Sequence, residues 1–377
     1  MTKIRAPGKM MLSGEWSVLE IGNPCIVLAV DRFVEVSIKR GKGNKITINA
    51  PDFGIKKISA EFDSRSNKLK LLNARAEQQK TLSFVKNSIE ATFAYLNQKK
   101  VKLQGFELTT KSRDTLVETP EGQQKIGFGS SAAVSVATVA AVLSLHKKGI
   151  KSTKEKERVF KLSCIAHFLG QGKIGSAFDV AASTFGGALI YKRFDAKWLE
   201  TELKTKKILE VVDEVWPHLY FEQLKLPKDF EVVVGFSGKS ASTKELVGKI
   251  NEFKQCDNAQ YQGIMQELKE TTEQLIIAMK KGNEAQILGL IRQNRRILAD
   301  LSDASLNGLE TPELGKIIEI AEQNGAAGKF SGAGGGDCAI AVCFGKKTLG
   351  TVEKELKRAG FTVLEVKVAA EGACKVR

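Results

Sequence analysis

The segment richest in chemical possibility is Lys125-Ile126-Gly127-Phe128-Gly129-Ser130-Ser131-Ala132-Ala133, where two glycines and two serines run into small apolar residues. Glycines let backbone N–H groups approach an anion closely, and a helix starting at the serines would turn its positive end toward that anion. The hydroxyls can cap the helix, bind phosphate oxygens or ligate magnesium. The turn has neither the Lys-Ser/Thr ending of a Walker loop nor the dinucleotide GxGxxG spacing, so by itself it reads as either a phosphate cradle or a serine-capped helix. Four further segments carry groups suited to phosphate chemistry. Ala6-Pro7-Gly8-Lys9 sets a lysine after an early Pro-Gly turn and continues to Ser13, Gly14 and Glu15. Gly172 to Ala182 holds Asp179 at a helix start, where an aspartate is either a cap or a functional acid. Gly235-Phe236-Ser237-Gly238-Lys239-Ser240-Ala241-Ser242-Thr243 offers hydroxyls, free N–H groups and a lysine, either a second anion site or a capped surface helix. Lys329-Phe330-Ser331-Gly332-Ala333-Gly334-Gly335-Gly336-Asp337 is a second glycine-rich loop.

The elements around these segments alternate between strand and helix periods. Cys25–Val30, Phe33–Lys39, Lys45–Asn49, Gly105–Thr110, Ala188–Phe194, Phe230–Phe236 and Cys338–Phe344 read as strands. Helical spacing predicts helices over Leu82–Leu96, Ala132–Leu145, from the capping box Ser152-Thr153-Lys154-Glu155 to Gly170, from Phe178, near 241–255, 258–281 and 284–301, and from the Thr311 cap to Gly325. A boundary between about Asp195 and Lys228 divides the chain into residues 1–225 and 226–377. The fold class expected is α+β in two domains. A length of 377 residues suits two domains, and 42% hydrophobic with 27% charged residues suits a folded protein.

Six scattered cysteines without a CxxC pair and three isolated histidines suggest neither zinc nor a disulfide framework. The apolar run Ala132–Leu145 is too short to cross a bilayer, and no secretory apolar region follows Met1, so a cytoplasmic protein with no membrane partner is expected. The excess of 58 basic over 43 acidic residues, a net charge of +15, favours anionic partners. The lysines are spread with few interleaved aromatics, which argues against nucleic acid, while small phosphorylated ligands, which need far fewer charges, remain compatible.

Together, and in this order along the chain, the Lys9 segment, the Gly127–Ser131 turn and the Ser331–Gly336 loop resemble the three signature motifs of the GHMP small-molecule kinases. The resemblance implies a two-domain GHMP fold, with a mixed-sheet N-terminal domain and a ferredoxin-like C-terminal sandwich, and ATP and Mg2+ as cofactors. Carried over, Lys125, Gly127, Phe128, Gly129, Ser130, Ser131 and Ala132 hold ATP, and Ser131 ligates magnesium. Asp179 and Lys9 are catalytic. Lys9, Ser13, Glu15, Lys239, Ser240, Ser242, Ser331, Gly332, Ala333 and Gly334 face the acceptor. Departures from the family pattern are Gln123 and Phe128 in and before the glycine turn, and His167-Phe168-Leu169-Gly170-Gln171 where mevalonate kinases carry a metal-binding glutamate. Lys125, Gln171–Ser176, Gly235–Thr243 and Ile291–Arg296 look like the phosphomevalonate-acting branch of eukaryotic type, with mevalonate kinases as nearest rival. Other readings left open are a different small-molecule kinase, an ATP-dependent decarboxylase of the family and a non-catalytic metabolite-binding regulator. A monomer or homodimer is expected.

Overall fold

The computed structural model describes residues 1–112, 116–119, 122–171, 175–239 and 243–376. The strands are β1 (Thr2–Ser13), β2 (Pro24–Arg40), β3 (Ile46–Ala50), β4 (Ile55–Asp63), β5 (Lys68–Leu71), β6 (Phe106–Lys111), β7 (Leu116–Thr119), β8 (Gly122–Lys125), β9 (Ala188–Lys192), β10 (Tyr220–Leu224), β11 (Phe230–Phe236), β12 (Ala327–Phe330), β13 (Cys338–Phe344), β14 (Thr362–Leu364) and β15 (Cys374–Lys375). The helices are α1 (Ala76–Thr81), α2 (Ser83–Gln98), α3 (Ser130–Leu145), α4 (Thr153–Gln171), α5 (Phe178–Phe185), α6 (Ala196–Thr205), α7 (Ile208–Asp213), α8 (Thr243–Cys256), α9 (Asn258–Lys281), α10 (Glu284–Ala304), α11 (Pro312–Gln323) and α12 (Lys346–Arg358). The class is α+β, as the sequence indicated.

A large mixed sheet runs β10-β9-β2-β6-β3-β4-β5, with β1 paired to β2 and to β15. The β3–β6 pairing is parallel and the other pairings of this sheet are antiparallel. A second, antiparallel sheet has the order β12-β13-β11-β14. The expected line at 225/226 falls between β10 and β11. The C-terminal end nevertheless crosses back: Arg5 pairs with Cys374, Val30 bridges Val368 and Ala369 N–H donates to the Ala29 carbonyl.

Helix α3 is apolar around its whole circumference, the mark of a helix buried on all sides. It packs on β1, β2, α2, α4 and α5, and its alanines allow this close approach. One apolar cluster fills the space between the large sheet and these helices. Another joins Met10, Leu12, Ile26 and Leu28 of the large sheet to Val234, Leu275, Ile291 and Ile340 of the C-terminal half, so the two halves share a core. Capping fixes the long C-terminal helices. Asp257 accepts from Gln260 N–H at 2.9 Å and Asn283 from Gln286 N–H at 3.1 Å, each satisfying an orphan donor of the first turn.

Pro7-Gly8 reads locally as a turn but lies inside β1, which pairs with β2 along its length. Tertiary pairing overrides the local preference here. The strand accommodates the dipeptide with a register shift between Pro7 and Gly8, a bulge one residue before Lys9.

Candidate active site

The bulge in β1 brings Gly8 and Lys9 against the glycine turn. A side chain on Gly8 would sit 2.8 Å from the Phe128 carbonyl oxygen, so only glycine fits this approach. Lys9 N–H donates to that carbonyl at 2.8 Å, and Lys9 Nζ donates to the Gly127 carbonyl at 2.7 Å. The lysine is thus held to the turn at both its backbone and its tip. Desolvation at the cleft floor holds its ammonium below the usual lysine range, and the Asp179 and Asp337 carboxylates oppose that shift.

Gly129 adopts φ +74° as the N-cap of α3, a conformation that disfavours any residue with a side chain. A Cβ there would also meet Lys9 Cγ at 3.1 Å and Asp179 Cβ at 3.5 Å, so lysine, aspartate and glycine turn are packed in contact. Among the described residues no side chain caps α3, nor α5, whose N-cap Ala177 has φ +61°. Ala177 is an alanine held in the left-handed region beside functional groups, where such strain tends to be found. Gly129, Ser130, Ala177 and Phe178 all line the same cleft. Two helix N-termini without side-chain caps thereby converge on one space, which suits a polyanion. The Asp179 carboxylate accepts from Val180 N–H at 2.9 Å. It is therefore not the N-cap; it stands inside the first turn of α5 and faces the cleft.

The glycine loop after β12 closes the opposite side. Ser331 clips it to β1 twice: Met11 N–H donates to Ser331 Oγ at 3.0 Å, and that hydroxyl donates to the Met11 carbonyl at 3.0 Å. Beneath the clip, Lys329 and Glu15 form an ion pair with both side chains fully buried. Lys329 Nζ also donates to the Phe330 carbonyl at 2.7 Å. Gly334 packs on Leu309, whose carbonyl accepts from Gly335 N–H at 2.7 Å.

The resulting cleft has a volume of about 490 Å3. It is lined by Lys9, Glu15, Gly127, Gly129, Ser130, Ser131, Asp179, Gly332 and Ala333 among the residues expected from the sequence. Others of that set lie behind the wall. Ser13 is buried and shares a 2.8 Å hydrogen bond with Thr272, so its hydroxyl is turned into the protein. Phe128 and Ala132 are buried, the first serving through its carbonyl, and Ser331 and Gly334 shape the loop from behind. Glu15 forms part of the wall, but its carboxylate is engaged by Lys329. Lys239 is exposed and reaches Glu313 at 2.6 Å, while its carbonyl accepts from Asp337 N–H at 2.7 Å. Ser240, Ser242 and Gly172–Ile174 lie outside the described residues, as does the side chain of Lys125.

His167 and Asp337 also line the cleft, and neither was given a site role from the sequence. His167 stacks on Phe84 with ring centroids 4.9 Å apart and brings Nε2 to 3.5 Å from Ser131 Oγ, the outer limit of a hydrogen bond. Asp337 ends the second glycine loop and lines the cleft from the far side of Gly127. His167 follows the buried Ala166 near the end of a helix that the sequence does predict, but the apolar period leaves its direction open. The packing of α2 on α4, with Phe84 against the imidazole, sets that direction.

Models of the GHMP kinases N terminal domain and of the GHMP kinases C terminal match residues 83–187 and 275–361. A phosphomevalonate kinase of Streptomyces sp. (strain CL190) is 30% identical over 372 residues, covering 97% of each chain. A mevalonate kinase of Pyrococcus abyssi is 28% identical over 374 residues, covering 97% of this chain and 95% of its own. The solved Streptococcus pneumoniae phosphomevalonate kinase in complex with phosphomevalonate and AMPPNP superposes with a TM-score of 0.80 at 23% identity, covering 98% of this chain and 100% of that one, a likeness of fold. With both domain models matched and 30% identity along 97% of its length, the chain belongs to the GHMP kinases, a family of ATP-dependent kinases.

Proposed function

We propose that the chain is a phosphomevalonate kinase, moving the γ-phosphoryl group of ATP onto the phosphate of 5-phosphomevalonate to give 5-diphosphomevalonate and ADP. The observation that carries this reading is the meeting of Lys9, the glycine turn, Asp179 and the second glycine loop in one cleft, with the Ser237–Lys239 turn fastened to that loop. A substrate that already bears a phosphate calls for a second anion site beside the nucleotide's. In this reading Lys239, now paired with Glu313 at 2.6 Å, serves that site after exchanging Glu313 for the substrate.

Phosphoryl transfer depends mainly on positioning and on neutralising charge over the transferred group. Lys9 supplies a fixed positive charge, and the N-termini of α3 and α5 supply N–H donors. A phosphomonoester has its second pKa near about 6 and is largely dianionic at neutral pH, so a general base adds little. Asp179 then orients Lys9 and the acceptor. The residues present fit magnesium in its usual mode, which needs few protein ligands and takes most oxygens from phosphate and water. Among the described residues no cluster of three acidic, histidine or cysteine side chains forms a dedicated cage, and Ser131 Oγ is the hydroxyl at the phosphate turn that would hold the ion. When bound, magnesium supplies neutralisation of phosphate charge.

Mevalonate kinase is the second reading, favoured by the 28% identity to the Pyrococcus enzyme over the full length. Steady-state ADP release measured with mevalonate, phosphomevalonate and diphosphomevalonate separates the two, with carbon dioxide detection for the decarboxylase. The expected result is kcat/KM for phosphomevalonate at least about 100-fold above either other acceptor, a gap of ~2.7 kcal/mol. A preference for mevalonate overturns the acceptor assignment.

A further inference from the structure

The carboxylate of Asp337 has no part in the reading above, yet it sits at the crossing of three functional segments. Its Oδ2 lies 2.7 Å, and its Cγ 3.0 Å, from where a Cβ on Gly127 would stand. Gly127 has no positive φ, and a side chain there would force this carboxylate to move aside. The carbonyl of the same Gly127 holds Lys9 Nζ. Through its backbone, Asp337 N–H donates to the Lys239 carbonyl at 2.7 Å and its carbonyl accepts from Ser237 N–H at 2.8 Å. Asp337 itself has φ +58°. A carboxylate beside a turn built for polyphosphate opposes nucleotide binding by like-charge repulsion. Toward the Lys9 ammonium its action is favourable.

We infer that Asp337 is a positioning residue for phosphoryl transfer: its carboxylate, seated against Gly127, fixes the carbonyl that holds the Lys9 ammonium and adds a second negative charge beside that ammonium, while its backbone ties this corner to the Ser237–Lys239 turn. The inference rests on the kinase reading of the cleft and holds whichever acceptor is used. Besides Asp337, the charged and titratable groups acting on Lys9 among the described residues are Asp179, Cys338 and Glu15, with the Phe178 ring 5.8 Å from Nζ. Removing one of the carboxylates leaves desolvation less opposed, so Lys9 loses its proton at lower pH.

Asp337→Asn tests this directly, because asparagine keeps the shape and tolerates positive φ. The wild type is first assayed with the acceptor panel, and the variants are then compared with it on whichever acceptor it turns over, so failure of the acceptor assignment is seen separately. The variant should lose about tenfold or more in kcat with no rise in the ATP KM, and kcat/KM should fall about fivefold further at pH 9 than at pH 7. In parallel, Gly127→Ala should be at least about tenfold less damaging in an Asp337→Gly background than alone. An alkaline limb that coincides with the wild type's, in a variant that melts like the wild type, overturns the inference. So do a raised ATP KM with unchanged kcat, and additive effects of Gly127→Ala and Asp337→Gly.

Discussion

Replacing Lys329 by methionine isolates the buried link between the first and third motifs. Both members of the Glu15–Lys329 pair are 0% exposed, and Glu15 Oε2 has no hydrogen-bond partner among the described residues. Methionine fills much of the lysine's volume, so the main effect is an unpaired carboxylate left in the core. Breaking such a pair from one side costs about 3–5 kcal/mol. At about 2–4 °C per kcal/mol for a cooperative unit of 150–250 residues, the melting temperature should fall by about 6–20 °C. The double variant Glu15→Leu/Lys329→Met removes both charges and should recover to within about 2 kcal/mol of the wild type, since an apolar replacement of a whole buried pair is often close to neutral. Thermal and urea unfolding of the wild type, both single variants and the double variant give the coupling. A Lys329→Met protein melting within about 2 °C of the wild type, or a double variant as damaged as the sum of the singles, would refute the reasoning. The Ser331 clip follows Lys329 by two residues, so the single variants should also raise the KM for substrates that reach the second glycine loop.

Lys9→Met should lower kcat by about 100-fold or more while changing the ATP KM by less than about threefold, measured by initial rates; a large KM effect at intact kcat would make Lys9 a binding residue. Because the Lys9 ammonium is held below its ordinary range, wild-type kcat/KM should decline on the alkaline side before free lysine titrates, and a profile flat to about pH 10 would contradict that. Gly129→Ala forces a side chain into φ +74° against Lys9, at a cost of about 1–2 kcal/mol in backbone conformation alone. Calorimetry should show ATP binding weakened by about tenfold or more. Ser331→Ala loses both hydrogen bonds to Met11 and should destabilise by about 1–3 kcal/mol in urea unfolding.

Much of the site was legible because its chemistry is local. The glycine turn, the start of α5 and the second glycine loop each announce a backbone need within a few residues, and the cleft draws on all three. The helices expected near 258–281 and 284–301 are found at Asn258–Lys281 and Glu284–Ala304, capped by Asp257 and Asn283 with Gly282 ending the first. What escaped depends on partners far along the chain. Glu15 meets Lys329 across 314 residues, and Ser13 meets Thr272 across 259, so nothing near either residue tells whether it faces substrate or core. Pro7-Gly8 carries a turn signal that the long pairing with β2 overrides. The β15 strand is two residues long, too short for a period, and exists because Arg5 and Ile4 offer it an edge.

The account is tested most directly by 31P NMR of the product formed from ATP and phosphomevalonate. It predicts a pair of mutually coupled diphosphate resonances growing beside those of ADP, while the phosphomonoester resonance of the acceptor disappears. ADP appearing with inorganic phosphate and an unchanged phosphomonoester signal, or turnover only when mevalonate is supplied and a new phosphomonoester forms, would contradict it.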